Sequence, residues 1–531
     1  MLGSLLLPLA LAAATPPNLV FILTDDMGYN SPGFINSEVV TPNLGSLAAE
    51  GTRADMYSYR FCSPTRGSFL TGRYPWRLTS TLCDGRVCNF LPAHIPMAIN
   101  YAYSMLPLRL GEAGYVSYHV GKWHEGLYAP QFTPTGRGFN YSNGFLSGGE
   151  DHYTLAGDLG VGSCGMAKGM PMRDAFIENR TAPQVVGEYT GTRFANAAVD
   201  YITSHPPGAP LFMYLALHNT HAPLEAEPED LALYTKFTWK KQQTYYAMTT
   251  AVDRTVGRVV AALKARGLYD NTLIVWTTDN GAPVQVGGSN GPLRGGKGSN
   301  WEGGVHVPAI FAGGLVPPSR RGAILPRSTG ALHVSDLHAT FLARAGLSAV
   351  DPNPRAPAPV DGMDVWNWVL GNAPMAPHTA KGLPLDHLNY DAASNGGQPV
   401  GAYIRGDLKL LVGAGAGEAQ ASWFGGAPLY FTPNASVPNP RINQTACSVL
   451  ARPGGCLFNL TADPNEHEDL AEAQPQLFQA MMAEFLALNS SYHPPWIVPP
   501  SELTELCKVG LSSENNNTAA PWRTEPLPQD M

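Results

Sequence analysis

Apolar runs of strand length alternate with longer stretches of helical periodicity from residue 18 to about residue 345, a pattern that predicts an α/β fold with a largely parallel sheet. Asn18 to Thr24 (NLVFILT) reads as a first strand buried on both faces, because its whole interior is apolar. Thr41-Pro42-Asn43 then opens a helix through Glu50, with Thr41 as N-cap, proline at the first helical position and Gly51 at the stop. A helix at Leu106 to Ala113 leads into a strand at Tyr115 to Val120, and one at Thr192 to Ser204 into a strand at Leu211 to Leu217. A long amphipathic helix from Lys240 to Ala265 precedes a strand at Thr272 to Thr277. A strand at Val305 to Phe311 and a helix at Val334 to Ala345 complete the series.

Residues 351–360 (DPNPRAPAPV) read as a Pro-rich surface connection, and beyond them the pattern changes. Tyr403 to Val412 reads as strands, Gly413 to Gly426 as a loop, and Gln474 to Leu486 as a helix with Pro475 in its first turn. The expected organisation is a larger α/β unit over residues 15–380, a smaller C-terminal α+β unit with an antiparallel sheet over 381–513, and a polar tail over 514–531. Residues 1–14 contain a short apolar run ending in small residues, which reads as a signal peptide cleaved near Ala14. At about ten residues this run is too short to span a bilayer, so no stable membrane insertion is expected.

Charged residues are only 14% of the chain, against roughly a quarter in an average soluble protein, while 56 Gly and 47 Pro point to long loops ordered by turn chemistry. A net charge of -8 gives no basic footprint, which argues against a nucleic-acid partner. Asn-x-Ser/Thr sequons at Asn140, Asn179, Asn434, Asn443, Asn459, Asn489 and Asn516 join the leader in favouring a secreted glycoprotein. Setting Cys62 aside, Cys83, Cys88, Cys164, Cys447, Cys456 and Cys507 make an even set that suits disulfides. Cys447 and Cys456 are expected to close a local loop, and Cys83 or Cys88 to reach Cys507; the pairing stays open.

The candidate chemistry is positional. Asp25-Asp26, Lys122 with His124, His221, and Asp279-Asn280 each lie just past a predicted strand, at the rim where open α/β sheets bind ligands. Asp25, Asp26, Asp279 and Asn280 offer only oxygen, which suits a hard divalent cation, with calcium preferred because it tolerates many loosely arranged oxygens. Lys122 and His124 fall two apart in Gly121-Lys122-Trp123-His124, on one side of an extended segment. With His221 and Lys297 they supply the donors that an anionic ester head requires. Cys62 stands in a Pro/Gly-marked turn beside a fixed cation, Cys62-Ser63-Pro64-Thr65-Arg66, followed by Thr71-Gly72-Arg73. By default a cysteine in a secreted chain is buried or disulfide-bonded.

That segment resembles the maturation signature of the sulfatase family, Cys-x-Pro-x-Arg with a following Thr-Gly-Arg. Gly121-Lys122-Trp123-His124, His218-Asn219-Thr220-His221-Ala222-Pro223, Leu293-Arg294-Gly295-Gly296-Lys297-Gly298 and Trp301-Glu302-Gly303-Gly304 match further family motifs in family order. Val360 to Trp366, Tyr403 to Leu410 and Leu457 to Pro464 are similar to the type B arylsulfatases, which act on N-acetylgalactosamine 4-sulfate. The resemblance implies an alkaline-phosphatase-like, mostly parallel central sheet flanked by helices, with a smaller C-terminal subdomain. It departs from the family at the loop bearing Cys83 and Cys88, and the loops at 146–170 and 413–440 carry no match that would identify a substrate.

The resemblance further implies a sulfuric ester hydrolase acting on a sulfated carbohydrate or aryl sulfate. Cys62 would be converted by the formylglycine-generating enzyme into formylglycine, whose gem-diol attacks sulfur to give a covalent sulfo-enzyme intermediate. Asp25, Asp26, Asp279, Asn280 and the residue at 62 would hold one Ca²⁺. Arg66 would favour ionisation of the nucleophile; Lys122, His221 and Lys297 would bind the sulfate; His221 or Lys297 would protonate the leaving oxygen, and His124 would take the proton that regenerates the aldehyde. His218 reads as a structural neighbour and Arg294 as a loop anchor. The implied compartment is the secretory pathway, extracellular, periplasmic or lysosome-like. Two rivals stay open on sequence alone: a non-catalytic glycan-binding protein, and a phosphatase or phosphodiesterase of the same superfamily.

Overall fold

Seven strands build the scaffold: β1 (Asn18–Thr24), β2 (Thr52–Tyr57), β3 (Val116–Lys122), β4 (Tyr141–Phe145), β5 (Leu211–Ala216), β6 (Thr272–Thr278) and β7 (His306–Ala312). The computed structural model describes residues 15–78, 98–157, 173–178, 180–391, 398–412, 447 and 454–489, the backbone at 82–83 and 86–87, and residues 505, 508 and 521. In space the strands run β2-β7-β6-β1-β5-β3-β4, with short strands extending both edges. From β6 to β4 every pairing is parallel. β7 pairs antiparallel with both β6 and β2, and two reversals restore direction, so β2 ends on the same rim as β1, β3, β5 and β6. The same reversal brings the start of β7, and the loop before it, to that rim.

β1 is apolar throughout because both its faces are covered. Leu19, Phe21 and Leu23 pack with Phe69 and Leu70 of α2 (Cys62–Thr71) and with Phe341 of the helix Val334–Arg344. Val20 and Ile22 face the other way, toward Leu44 and Leu47 of α1 (Pro42–Glu50) and Val252 and Val256 of the long helix Lys240–Ala265. Each such buried side chain contributes about 1.5–3 kcal/mol.

The start of α1 differs from expectation. Thr41 makes no side-chain cap; its hydroxyl accepts instead from Gly33 N–H at 2.6 Å. The exposed helix donors Asn43 N and Leu44 N go to the Asp253 carboxylate, at 3.2 and 2.7 Å, so the cap comes from a helix about two hundred residues later. Gly51 does end α1, with an extended backbone.

Beyond residue 380 a four-stranded antiparallel sheet forms from β8 (Leu383–Asp391), β9 (Gln398–Arg405), β10 (Leu408–Val412) and β11 (Cys456–Asn459). One face takes Met481 and Phe485 of the helix Pro475–Asn489. The other face packs Leu385, Ile404 and Phe458 against Tyr59, Trp76 and Trp301 of the first part of the chain. Lys409 of β10, closed to solvent, pairs with Glu302 at 2.9 Å and Glu466 at 2.8 Å. Cys447 and Cys456 form the local disulfide expected of them. The Pro-rich connection is pinned rather than loose: Arg73 donates to the Ala358 carbonyl at 2.7 Å and pairs with Asp351 at 2.8 Å.

Among the described residues, no helix is long and apolar enough to cross a membrane. The leader at 1–14, Cys88, Cys164 and Cys507, the sequons at Asn179, Asn434, Asn443 and Asn516, the loop at 413–440 and the tail apart from residue 521 lie outside the described residues, as do the side chains of Cys83 and Asn489.

Candidate active site

The ends of β1 and β6 set the acidic side of the site. Asp25 and Asp26 follow β1, and Asp26 turns the chain with a left-handed backbone (φ 60°). Asp279 N–H donates to the Thr24 carbonyl, and Asp26 N–H to Asp279 Oδ1, at 3.0 and 3.1 Å. Asn280 Nδ2 donates to Asp26 Oδ1 at 2.7 Å, while Asn280 Oδ1 is buried without a partner among the described residues. The carboxylates of Asp25, Asp26 and Asp279 and Cys62 Sγ offer ligand atoms within 4.8 Å of one another. An orphaned amide oxygen beside three carboxylates is a donor set that fits a hard divalent cation.

α2 delivers Cys62 as its first residue, and all ten residues of the helix are buried. Cys62 Sγ donates to Asp25 Oδ1 at 3.4 Å. One turn on, Arg66 lies on the same face and clasps Asp279 Oδ2 through Nε at 3.1 Å and Nη2 at 2.7 Å, with Nη2 3.4 Å from Asp25. Thr65 locks the turn, its hydroxyl donating to the Asp279 carbonyl at 2.7 Å. Burial, reinforced by Asp25 and Asp279, pushes the Cys62 thiol up, so the sulfur is held as a neutral thiol and is a poor nucleophile. Asp25 goes the other way: burial would raise it, but Lys122, His221 and Arg66 together hold it well below the usual carboxylate range.

Cations and imidazoles close the other side. Lys122 Nζ pairs with Asp25 Oδ2 at 2.6 Å, and Lys297 Nζ with Asp26 Oδ1 at 2.6 Å. Lys122 is the last residue of β3, not a residue beyond it as the apolar pattern suggests. His124 is not placed by strand alternation either. Its backbone is left-handed (φ 62°), its Nδ1 has no partner among the described residues, and Gly148 packs against its Nε2. His221 Nδ1 lies 2.7 Å from the Ala222 carbonyl, which can only accept, so Nε2 is left free, 3.9 Å from Asp26. The side chains of His221 and Lys297 are 20% and 15% exposed while their neighbours are closed, so these two form the mouth.

The structure thus brings together Asp25, Asp26, Cys62, Arg66, Lys122, His124, His221, Asp279, Asn280 and Lys297. It adds His218, whose Nδ1 stands 3.7 Å from Asp25 while its Nε2 faces the Glu150 carbonyl at 2.8 Å. It also adds the segment Ser147 to His152, which the sequence did not single out; the adjacent Gly148-Gly149 pair was its one available signal. Arg294 is the anchor expected of it, lying 3.5 Å over the Trp301 ring and donating to the Glu466 carbonyl.

The chain has relatives among known proteins. The protein family described as Sulfatase matches residues 17–347. The chain is 30% identical over 499 residues to arylsulfatase J of Mus musculus, covering 91% of this chain and 77% of that protein. It is 33% identical over 374 residues to N-acetylgalactosamine-6-sulfatase of Mus musculus, covering 67% of each. Among solved structures it is similar to Ps i-CgsB in complex with k-i-k-neocarrahexaose, with 27% identity, a TM-score of 0.73, and 92% of this chain and 95% of that one covered.

Proposed function

Since this chain belongs to the sulfatase family and is a sulfuric ester hydrolase, we propose that it cleaves sulfate esters of sugars with an oxygen nucleophile at position 62 beside one calcium ion. The observation that carries this reading is the meeting of Cys62 with Asp25, Asp26 and Asp279 at the strand rim. Family membership implies a formylglycine made from Cys62 and a bound metal. Formylglycine would supply a hydrated aldehyde, an oxygen nucleophile that a buried neutral thiol is not. Calcium, held by Asp25, Asp26, Asp279, Asn280 and the residue at 62, would supply positive charge that eases ionisation of a hydroxyl there.

The remaining work belongs to the chain's own side chains. Arg66 fixes Asp279 and Asp25 in place through its clasp and opposes the burial and the Asp25 charge that raise Asp279 to about 6. Lys122 and Lys297 present ammonium groups to the sulfate oxygens and absorb charge that develops on them. His221 is fixed through its Nδ1–H to the Ala222 carbonyl, so its Nε2 at the mouth can bind a sulfate oxygen and give a proton to the departing alcohol only as the imidazolium. The bound anion favours that state against burial and the two lysines; Lys297, beside it, is the other proton source. His124 Nδ1, buried and unpartnered among the described residues, takes up the proton given by position 62 as sulfate is released.

The relatives' names support a sulfated carbohydrate as substrate class, with aryl sulfates as surrogates. The apolar leader and the sequons support passage through the secretory pathway, to an extracellular or lysosome-like site, with formylglycine-generating enzyme as the maturation partner. The strand pattern supports a catalytic unit over 15–380 closed by the smaller unit over 381–513. Mass spectrometry of the tryptic peptide Phe61 to Arg66, from protein made in its own host, tests the reading. An aldehyde in place of the thiol is expected; an intact thiol in protein that still cleaves para-nitrophenyl sulfate overturns it.

A further inference from the structure

Three imidazoles stack behind the mouth of the site. His152 lies over His218 with ring centroids 4.5 Å apart and planes at 27°, and His218 lies 5.2 Å from His221 at 31°. His152 is closed to solvent. Its Nε2 stands 3.2 Å from the His221 carbonyl and its Nδ1 2.6 Å from the Thr190 hydroxyl. A carbonyl only accepts, so Nε2 carries the proton and Nδ1 accepts from Thr190. The backbone N–H of His152 donates to Glu225 at 2.9 Å, which fixes the segment from outside. The middle ring, His218, is held at Nε2 by the Glu150 carbonyl. These contacts converge on the place where the His221 ring stands.

Resting on the sulfatase reading above, we propose that His152 is a positioning residue for His221: it grips the His221 main chain at the carbonyl and supports the face of its imidazole through the His218 ring. The need for support is physical. The His221 side chain is the most exposed of those gathered here, and among the described residues its one hydrogen bond is to the carbonyl of the adjacent residue. A local bond of that kind does not fix where the free Nε2 points. A misplacement of about 1 Å at a proton donor costs on the order of a hundredfold in rate. The Gly149 backbone bounds the ring on another side, since a Cβ there would lie 3.2 Å from His221 Cε1.

The test uses leaving groups of different basicity, because misplacing a proton donor harms a poor leaving group more than a good one, whereas general loosening of the fold slows both alike. Parent, His152→Phe, His152→Gln and His221→Ala are compared on para-nitrophenyl sulfate and on phenyl sulfate, whose phenol is the weaker acid with a pKa of about 10. His152→Phe keeps a ring but loses both hydrogen bonds; it should lose about tenfold or more in kcat/KM on phenyl sulfate and about threefold or less on para-nitrophenyl sulfate. His152→Gln, which retains an N–H donor of similar reach, should recover most of that loss. His152→Asn, too short to reach the His221 carbonyl, makes the same prediction as His152→Phe and serves if the phenylalanine protein does not fold. Equal losses on both substrates, or none, while His221→Ala still discriminates between them, would overturn the positioning role alone. If His221→Ala shows no discrimination, the assignment of His221 as proton source is wrong, and the role of His152 goes with it.

Discussion

Lys409 and Glu302 meet at 2.9 Å with both side chains closed to solvent, so β10 of the small sheet is tied to the loop that presents Lys297 at the mouth. Glu466 completes the tie: it pairs with Lys409 at 2.8 Å and accepts from Glu302 N–H at 2.8 Å. Lys409→Met takes from Glu466 the cation it is buried against and leaves Glu302 with His306 and Arg327. It should cost about 3–5 kcal/mol of stability, measured as a drop in denaturant midpoint at constant slope. A loss below about 1 kcal/mol would show that the tie is not structural.

The same cluster predicts how stability depends on pH. Burial alone would lower His306, but Asp55 and Glu302, each 3.0 Å from a ring nitrogen, lift it to about 9. Its contribution is complete below the ordinary histidine value of 6.5 and is lost as pH rises through 9. Burial, with the charge of Glu302, raises Glu466 to about 7 against the pull of Lys409. The native state therefore holds that proton where the unfolded chain has released it, and stability falls as pH rises from the ordinary 4.5 to about 7. Below pH 6.5 the histidines that burial holds neutral, such as His119, His152, His333 and His338, act in the opposite sense. Above it only the decline is left, so Tm should fall from about pH 6.5 to beyond pH 9, and His306→Gln should flatten that fall. A Tm that holds level or rises above pH 6.5 contradicts the sign.

Asp279 is both a candidate ligand and the partner that Arg66 clasps. Asp279→Asn keeps the shape but removes the charge. Metal content by elemental analysis should fall, and kcat/KM should drop by about a hundredfold or more, because even residues that only support a metal's ligands cost 10–100-fold. Normal metal content in the variant would remove Asp279 from the ligand set.

Gly148 lies so close to His124 that a Cβ added there would sit 2.8 Å from Nε2. Gly148→Ala should therefore displace His124 and lower kcat by about ten- to a hundredfold with little change in Tm. Gly149→Ala, whose nearest contact would be 3.2 Å, should be the milder change. Steady-state kinetics on para-nitrophenyl sulfate rank the two, and the reverse order would mean that the loop does not bound His124 as described.

Much of this site was legible because polar residues that follow apolar strands have few places to go but the sheet rim. Asp25, Asp26, Asp279 and Asn280 were found that way, and the structure puts them together. Lys122 was found for nearly the same reason, though its strand runs one or two residues further than the apolar run. Strand β2 was missed because its residues Arg53 and Asp55 interrupt the hydrophobic pattern, and β4 because its sequence YSNGF has none. The cap of α1 could not be read locally: Thr41 had the right chemistry, but Gly33 engages its hydroxyl and a distant aspartate takes the helix donors. The histidine stack was invisible for a related reason. His152 and His221 are 69 residues apart, and nothing but the assembled sheet puts one ring behind the other.

The strand order also fixes a timetable. Cys62 is closed to solvent in the finished fold, so any enzyme that oxidises it must reach it in an unfolded chain. β1 lies between β5 and β6, whose first residues are Leu211 and Thr272, so the centre of the sheet cannot close until most of the larger unit has been synthesised. Asp279 and Lys297 arrive later still. At about 5–20 residues per second, the span from Cys62 to Lys297 leaves an interval of roughly 10 to 50 seconds in which that cysteine has left the ribosome and has no walls around it.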